Sequence, residues 1–214
     1  MPPTLIVIAG PNGSGKTSLT QFLQRHGYDF GDYINPDDIA KGLTGTYEER
    51  VRQAQVLADV RRKDAVTAGR NFSFETVFSR PSKLDDMQAA RVAGFTVTLI
   101  FVGVESPTIN IERVRTRVAL GGHDVPVDRI AARYLRTMGL LVEMVKRADR
   151  AVIFDNTVQS PDRAGFSGRV VAECVARCDR VVVRPQPLVP AWTFRYLIEP
   201  ARQLDWTIEE STSR

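Results

Sequence analysis

The chain has 214 residues, 43% of them hydrophobic and 25% charged, and a formal net charge of +4. Length and apolar content suit one α/β domain around a single core, with nothing that requires a second, and no apolar run approaches the ~18 residues of a membrane span. Cys174 and Cys178 lack the histidines or further cysteines of a zinc site, so they read as one core and one surface thiol of a reducing compartment. Lysine occurs only at positions 16, 41, 63, 83 and 146, and the remaining positive charge is arginine. Arginine suits bidentate phosphate recognition, although genome base composition produces the same bias. A modest positive balance fits anionic small molecules as well as nucleic acid and selects neither. The first strand starts almost at the N-terminus, which leaves no room for a signal peptide, and a cytosolic protein is expected.

The first strand-like run, 5–9, passes directly into the pattern Gly-x-x-x-x-Gly-Lys-Thr within LIVIAGPNGSGKT. Glycines at 10, 13 and 15 allow backbone dihedrals closed to residues with a Cβ, so that successive N–H groups turn inward around phosphate oxygens. The phosphate-binding set is Gly10, Pro11, Asn12, Gly13, Ser14, Gly15, Lys16, Thr17 and Ser18. In such a loop the lysine, Lys16, reaches the β and γ phosphates, and the hydroxyl of Thr17 supplies one ligand to Mg²⁺. A helix over 16–26 adds the positive end of its dipole. An accidental glycine-rich turn seldom lies between a strand such as Leu5-Ile6-Val7-Ile8 and a helical pattern such as Leu19, Phe22, Leu23.

Further along, Asn35-Pro36-Asp37-Asp38 offers a carboxylate able to accept the proton of an attacking hydroxyl, while one of the two acids has the alternative of capping a short helix. A long helix is expected over 47–68 and a strand over 71–76, ending in Glu75-Thr76. Glu75 can bond substrate hydroxyls or hold magnesium through water, or be an exposed loop acid; its apolar flanks argue for burial at a strand end. A helix over 81–93, a strand over 96–103, and helices over 106–119 and 127–147 follow. The last two carry Arg113, Arg115, Arg117, Arg129, Arg133 and Arg136 around Gly121-Gly122-His123-Asp124-Val125-Pro126. Arginines on two helices joined by such a turn form a lid that neutralises charge in phosphoryl transfer. Arg117 and Arg133 are the preferred catalytic candidates, with Arg113 and Arg136 behind them, and His123 reads as structural. A strand over 150–154 runs into Asp155-Asn156-Thr157, which either borders the adenine site or forms an Asx turn. A helix over 167–177, a strand over 180–184 and a helix over 190–203 that caps the sheet complete the pattern. Strands separated by helices predict a mostly parallel sheet covered on both faces.

Taken together these segments resemble the zeta-toxin-type P-loop kinases. The resemblance rests on GPNGSGKTSL at 10–19, INPDDIA at 34–40, FSFETVFS at 72–79, the run RVRTRVALGGHDVPVDRIAARYLR at 113–136, and FDNT at 154–157. It implies a P-loop NTPase fold, three layers α/β/α, here with a mostly parallel five-stranded sheet, an arginine-bearing helical lid over about 106–140 and a capping helix over about 190–204, all in a single domain over 1–214. It implies ATP and Mg²⁺ as cofactors and an alcohol group as phosphate acceptor; the best-known members phosphorylate the 3′-hydroxyl of UDP-N-acetylglucosamine. Carried across by residue, Lys16 and Thr17 bind phosphate and metal, Asp37 is the base, Asp38, Glu75 and Thr76 lie on the substrate side, and Arg117 and Arg133 match the lid arginines. Founding members carry an Asp-x-Asp segment where this chain has Asn35-Pro36-Asp37. The expected partners are a small-molecule substrate such as a nucleotide sugar and an antitoxin protein, with neither membrane nor nucleic acid. Three rivals stand beside this reading. They are an antibiotic or sugar kinase on the same core, a regulatory P-loop ATPase, and a nucleotide-binding remnant. No apolar run followed by Asp-Glu supports the ATPase, and the presence of Lys16, Thr17 and Asp37 speaks against the remnant.

Overall fold

Strand β1 (Thr4–Ala9) lies inside the sheet, between β3 (Phe72–Thr76) and β4 (Thr96–Gly103), and it is parallel to both. Its side chains alternate between two apolar layers, as the period of two in a strand requires. Leu5, Val7 and Ala9 face the larger cluster, with Phe72, Phe74, Leu99, Phe101 and Trp192, while Ile6 and Ile8 face a smaller one, with Leu19, Phe30, Ile100, Val102 and Phe166. A parallel sheet with apolar residues on both faces has to be covered on both, and the result is the expected three-layer α/β/α arrangement. The computed structural model describes residues 1–121, 125–158, 165–177 and 180–209, so Gly122, His123, Asp124 and Cys178 lie outside the described residues.

The sheet has eight strands in the order β2-β3-β1-β4-β5-β6-β7-β8, where β2 is Asp32–Ile34, β5 Arg150–Asp155, β6 Arg169–Arg177, β7 Arg180–Pro185 and β8 Thr207–Ile208. The five strands from β2 to β5 are mutually parallel; β6 is antiparallel to both of its neighbours, and β8 is parallel to β7. The five-stranded expectation is corrected accordingly. The short β2 and β8 were not expected, and the segment 167–177, expected as a helix, is strand β6. Val170, Val171 and Val175 favour the pleated surface, and pairing on both edges overrides the helix-like spacing of the apolar residues. Cys174 therefore lies on a strand, fully buried, with its thiol pushed up to about 12 by desolvation first and by Glu173 second.

Helices α1 (Lys16–Arg25), α3 (Tyr47–Thr67), α4 (Ser82–Val92) and α5 (Pro107–Ala119) agree with expectation within one or two residues. The short α2 (Pro36–Lys41) begins at the Asn35 cap. The single helix expected over 127–147 divides into α6 (Val127–Gly139) and α7 (Leu141–Lys146), with glycine, a poor helix former, at the break. The C-terminal helix also divides, into α8 (Ala191–Thr193), a π-helical turn over Phe194–Ile198, and α9 (Glu199–Gln203). Pro200 has no N–H to offer the carbonyl four residues earlier, which accounts for the widened turn just before it.

Candidate active site

The loop between β1 and α1 sits at the carboxyl ends of the parallel strands, where an open α/β sheet places its ligands. Three positions in it require glycine, Gly13 (φ 72°) because a Cβ would collide with the Asn110 carbonyl. Gly10 (φ 150°) packs so closely on the Val102 carbonyl that a Cβ would collide with it, and Gly15 (φ 100°) lies in the same way against the side-chain amide of Asn156. That amide is half of a brace. Asn156 Nδ2 donates to the Ser14 carbonyl at 2.8 Å, and Asn110 Nδ2 donates to the Asn12 carbonyl at 2.5 Å. Both asparagines are buried. With two carbonyls of the loop tied down on its outside, the N–H groups of the same peptides are free to face a phosphate.

Lys16 as a whole is half-buried, but its ammonium is drawn into the loop, donating to the carbonyls of Gly10 at 2.9 Å and Pro11 at 3.1 Å. Desolvation lowers its pKa from 10.5 to about 8, opposed by Glu75 and Asp37 and assisted by Arg117. That electrostatic environment joins two carboxylates, one of them hydrogen-bonded to Thr17, and one guanidinium to the loop ammonium.

Glu75 stands at the carboxyl end of β3 and gathers three hydroxyls. Thr17 Oγ1 donates to its Oε2 at 3.0 Å, Tyr33 OH donates to its Oε1 at 2.7 Å, and Thr20 Oγ1 lies 2.8 Å from the same Oε1. The one proton of Thr20 is shared between this carboxylate and the Lys16 carbonyl, 3.1 Å away. Burial, reinforced by the Glu75 charge, raises the Tyr33 phenol well above its ordinary range, so it stays a donor. Neither Tyr33 nor Thr20 was singled out from the sequence; a tyrosine two residues before Asn35 carries no motif of its own. Asn35 Nδ2 in turn donates to the Tyr33 hydroxyl at 3.1 Å, and Asn35 Oδ1 caps α2 by accepting from the Asp37 N–H at 2.9 Å. The asparagine that departs from the Asp-x-Asp pattern thus links the Glu75 cluster to the helix that carries Asp37.

Asp37 is exposed in the first turn of α2. Its neighbour Asp38 is exposed too and pairs with Lys41 at 2.6 Å, while the Thr76 hydroxyl is occupied in accepting the Phe78 N–H at 3.0 Å. Of the arginines expected on a lid, Arg117 on α5 belongs to the Lys16 environment. Arg133 on α6 stands instead among Arg129, Arg136 and Arg80, which, after burial, lower its pKa. Arg113 donates to the Thr157 carbonyl at 3.1 Å and senses Asp155, so it braces the 155–157 segment. Trp192 Nε1 donates to Asp155 Oδ1 at 2.9 Å, which ties the C-terminal helix to the segment that holds the phosphate loop.

Among the described residues no group of three His, Cys, Asp or Glu could hold a metal ion. One hydroxyl and one carboxylate, Thr17 and Glu75, already touching, are what Mg²⁺ takes from a protein when the nucleotide phosphates and waters complete its oxygen shell. The donor set fits the ion.

The AAA domain family model matches residues 5–137. The chain belongs to the AAA domain family. A 31% identical relative, an uncharacterized protein of Haemophilus influenzae, aligns over 135 residues, which is 60% of this chain and 91% of the relative. Among solved structures, this AAA domain protein is similar to the AvrRxo1-ORF1:AvrRxo1-ORF2 complex with sulphate ions (TM-score 0.61, 18% identity), matching over 81% of this chain and 59% of that one. The same complex has been solved with ATP and matches at a TM-score of 0.55. It is also similar to the PezAT chromosomal toxin-antitoxin system of Streptococcus pneumoniae (TM-score 0.54, 13% identity), over 78% of this chain and 70% of that one. These likenesses establish a P-loop kinase-like fold. The chain spans about 59% of the length of the AvrRxo1 chain it matches. Among the described residues no helix is long and apolar enough to cross a membrane.

Proposed function

We propose that the protein is an ATP-dependent small-molecule kinase of zeta-toxin type, which transfers a γ-phosphoryl group to a hydroxyl of a nucleotide sugar such as UDP-N-acetylglucosamine. The observation that carries this reading is the convergence on Lys16 of Glu75, Asp37 and Arg117, with Glu75 hydrogen-bonded to Thr17 at 3.0 Å. Four elements far apart in sequence, α1, β3, α2 and α5, bring a phosphate-binding ammonium, a metal-side carboxylate, a second carboxylate and a guanidinium to one place. A loop that only bound nucleotide would need the first two.

In the reaction, the loop N–H groups and Lys16 hold the donor phosphates, and Arg117 comes down on the transferring group as charge builds on its oxygens. Thr17 and Glu75 would hold Mg²⁺, which supplies charge neutralisation between the phosphates. Asp37 accepts the acceptor's hydroxyl proton, a role worth about 10²–10⁴ in rate. Exposure suits Asp37 to this, because the acceptor enters from solvent. Asp38, held by Lys41, is assigned to positioning α2. Support for ATP as donor comes from the AvrRxo1 complex solved with ATP, and support for an antitoxin-like protein partner from the two-component systems in which both similar structures occur.

The test is to incubate the protein with Mg-ATP and a panel of nucleotide sugars, free sugars and antibiotics, and to follow ADP and the gain of one phosphate by mass spectrometry. A phosphorylated nucleotide sugar, absent with Asp37→Ala, is the expected result. Phosphorylation of a free sugar or antibiotic alone would replace the acceptor, and ATP turnover with no modified acceptor, stimulated by a protein partner, would replace the reading with a regulatory ATPase. For the partner, growth arrest on expression that is relieved by the neighbouring open reading frame is expected, and arrest unaffected by any neighbour would contradict it.

A further inference from the structure

Helix α2 carries Asp37 but has no fully buried side chain; Ile39 leans, half-buried, on the larger apolar cluster, and Asp38 pairs with Lys41 inside the helix. A helix of six residues does not hold its geometry unaided, so whatever ties it to the sheet sets where the Asp37 carboxylate stands. The tie is at its first turn. Strand β2 runs parallel to β3 with Tyr33 beside Ser73 and Ile34 beside Phe74, and the next residue along, Asn35, emerges beside Glu75. Side chains two apart on an extended chain share a face, so Tyr33 and Asn35 both meet the Glu75 side of the sheet. Asn35 is buried, and both ends of its amide are used. Its Oδ1 accepts the Asp37 N–H at 2.9 Å, its Nδ2 donates to the Tyr33 hydroxyl at 3.1 Å, and that hydroxyl gives its one proton to Glu75 Oε1 at 2.7 Å. Every proton in this chain points toward the Glu75 carboxylate, an arrangement in which each bond polarises and strengthens the next.

We infer that Asn35 and Tyr33 are positioning residues for phosphoryl transfer: together they hold α2 to the metal-side carboxylate, so that Asp37 stands at a fixed place relative to Thr17 and Lys16. The inference rests on the kinase reading above and adds to it the pair through which the base is placed. Position 35 has to offer an acceptor to the helix N–H and a donor to Tyr33, because the Tyr33 proton is already committed to Glu75. The asparagine amide supplies both. A serine caps a helix start about as well, but its single short hydroxyl cannot reach both partners. Glu75 does not depend on Tyr33 alone, since the Thr17 and Thr20 hydroxyls also reach it. Loss of the tie therefore displaces the base and leaves the donor side in place, and a displacement of about 1 Å costs as much as about 10²-fold in rate.

The test compares wild type, Asn35→Ser, Tyr33→Phe and the double variant, each also in an Asp37→Ala background, by transfer from Mg-ATP to a nucleotide-sugar acceptor and by amide hydrogen exchange. In each single variant kcat should fall about tenfold to 10²-fold with the KM for ATP within about threefold of wild type, and the double variant should be little worse than either, as residues acting as one unit require. In the Asp37→Ala background the same substitutions should change the residual rate by less than about twofold, because no base remains for them to place. Exchange over 37–41 should quicken about fivefold or more in Tyr33→Phe while exchange over 47–67 is unchanged, which also shows that the variant is folded. Unchanged kcat in both single variants, additive losses in the double variant, or equal losses with Asp37 absent overturn the inference, and so does unaltered exchange over α2. A loss that falls on the KM for ATP overturns it too, by placing the pair on the donor side. If wild type phosphorylates no acceptor, it is the kinase reading that fails, and the exchange measurement, which needs no acceptor, still decides whether Asn35 and Tyr33 hold α2.

Discussion

Replacing Lys16 by methionine isolates the electrostatic strain that the phosphate loop carries. The ammonium is held in a desolvated position for a phosphate, and burial lowers its pKa from 10.5 to about 8. In the unfolded chain the ordinary value near 10.4 applies. Below about pH 8 both states carry the proton and the whole penalty falls on the folded protein. Between about 8 and 10.5 the folded protein has released a proton that the unfolded chain still holds, so this group's contribution to stability rises with pH through that window. The displacement corresponds to ~3 kcal/mol at 1.36 kcal/mol per pH unit, and the half-exposed side chain reduces this to ~1–2 kcal/mol after solvent screening. Lys16→Met also removes the donors to Gly10 and Pro11, a loss that is largely independent of pH and therefore drops out of the slope. Urea unfolding of wild type and Lys16→Met without nucleotide, from pH 7 to 10, should show wild type gaining ~1–2 kcal/mol relative to the variant. A difference that stays flat over that range would refute the reasoning. The same physics predicts that nucleotide binding above pH 8 takes up a proton, readable as a buffer-dependent binding enthalpy.

Asn156→Ala leaves the Ser14 carbonyl without its 2.8 Å donor. It should cost about 1–3 kcal/mol in unfolding free energy together with a loss of ATP-analogue affinity; a stability loss with affinity intact would make the asparagine structural only. Glu75→Gln keeps an acceptor for Tyr33 but removes the charge beside Thr17. Mg²⁺ should then improve ATP-analogue binding by about tenfold less than in wild type, while binding without metal is unaffected or tighter, and an unchanged metal effect would exclude Glu75 from the metal side.

Much of the site was legible because its chemistry is local in sequence. The loop, the Asp37 pair and Glu75 each sit at a strand end or helix start, where pattern and burial agree. The parallel strands β1, β3, β4 and β5 were likewise recoverable from their apolar runs. What escaped was set by pairing across the fold. Strand β6 owes its state to β5 and β7 on its two edges, and its own spacing of valine, alanine and cysteine fits a helix equally well. The division of labour among the arginines escaped for a related reason. Spacing shows that Arg129 and Arg133 share a face, but only the folded chain puts Arg80 in the field of Arg133 and Arg117 in that of Lys16. The Asn156 brace lay in a segment read as adenine border or Asx turn; it borders the phosphate loop, through a bond to a residue 142 positions away.

The central claim is that Asp37 activates a hydroxyl for attack on a phosphate held at Lys16. The most direct measurement is single-turnover transfer of labelled γ-phosphoryl from Mg-ATP, with a nucleotide-sugar acceptor, in wild type and Asp37→Ala, alongside the affinity of each for an ATP analogue. The account predicts label on the acceptor in wild type, a rate about 10²–10⁴ lower in the variant, and analogue affinities within about twofold of each other. Label released only as inorganic phosphate in wild type, or equal losses of affinity and rate in Asp37→Ala, would contradict it.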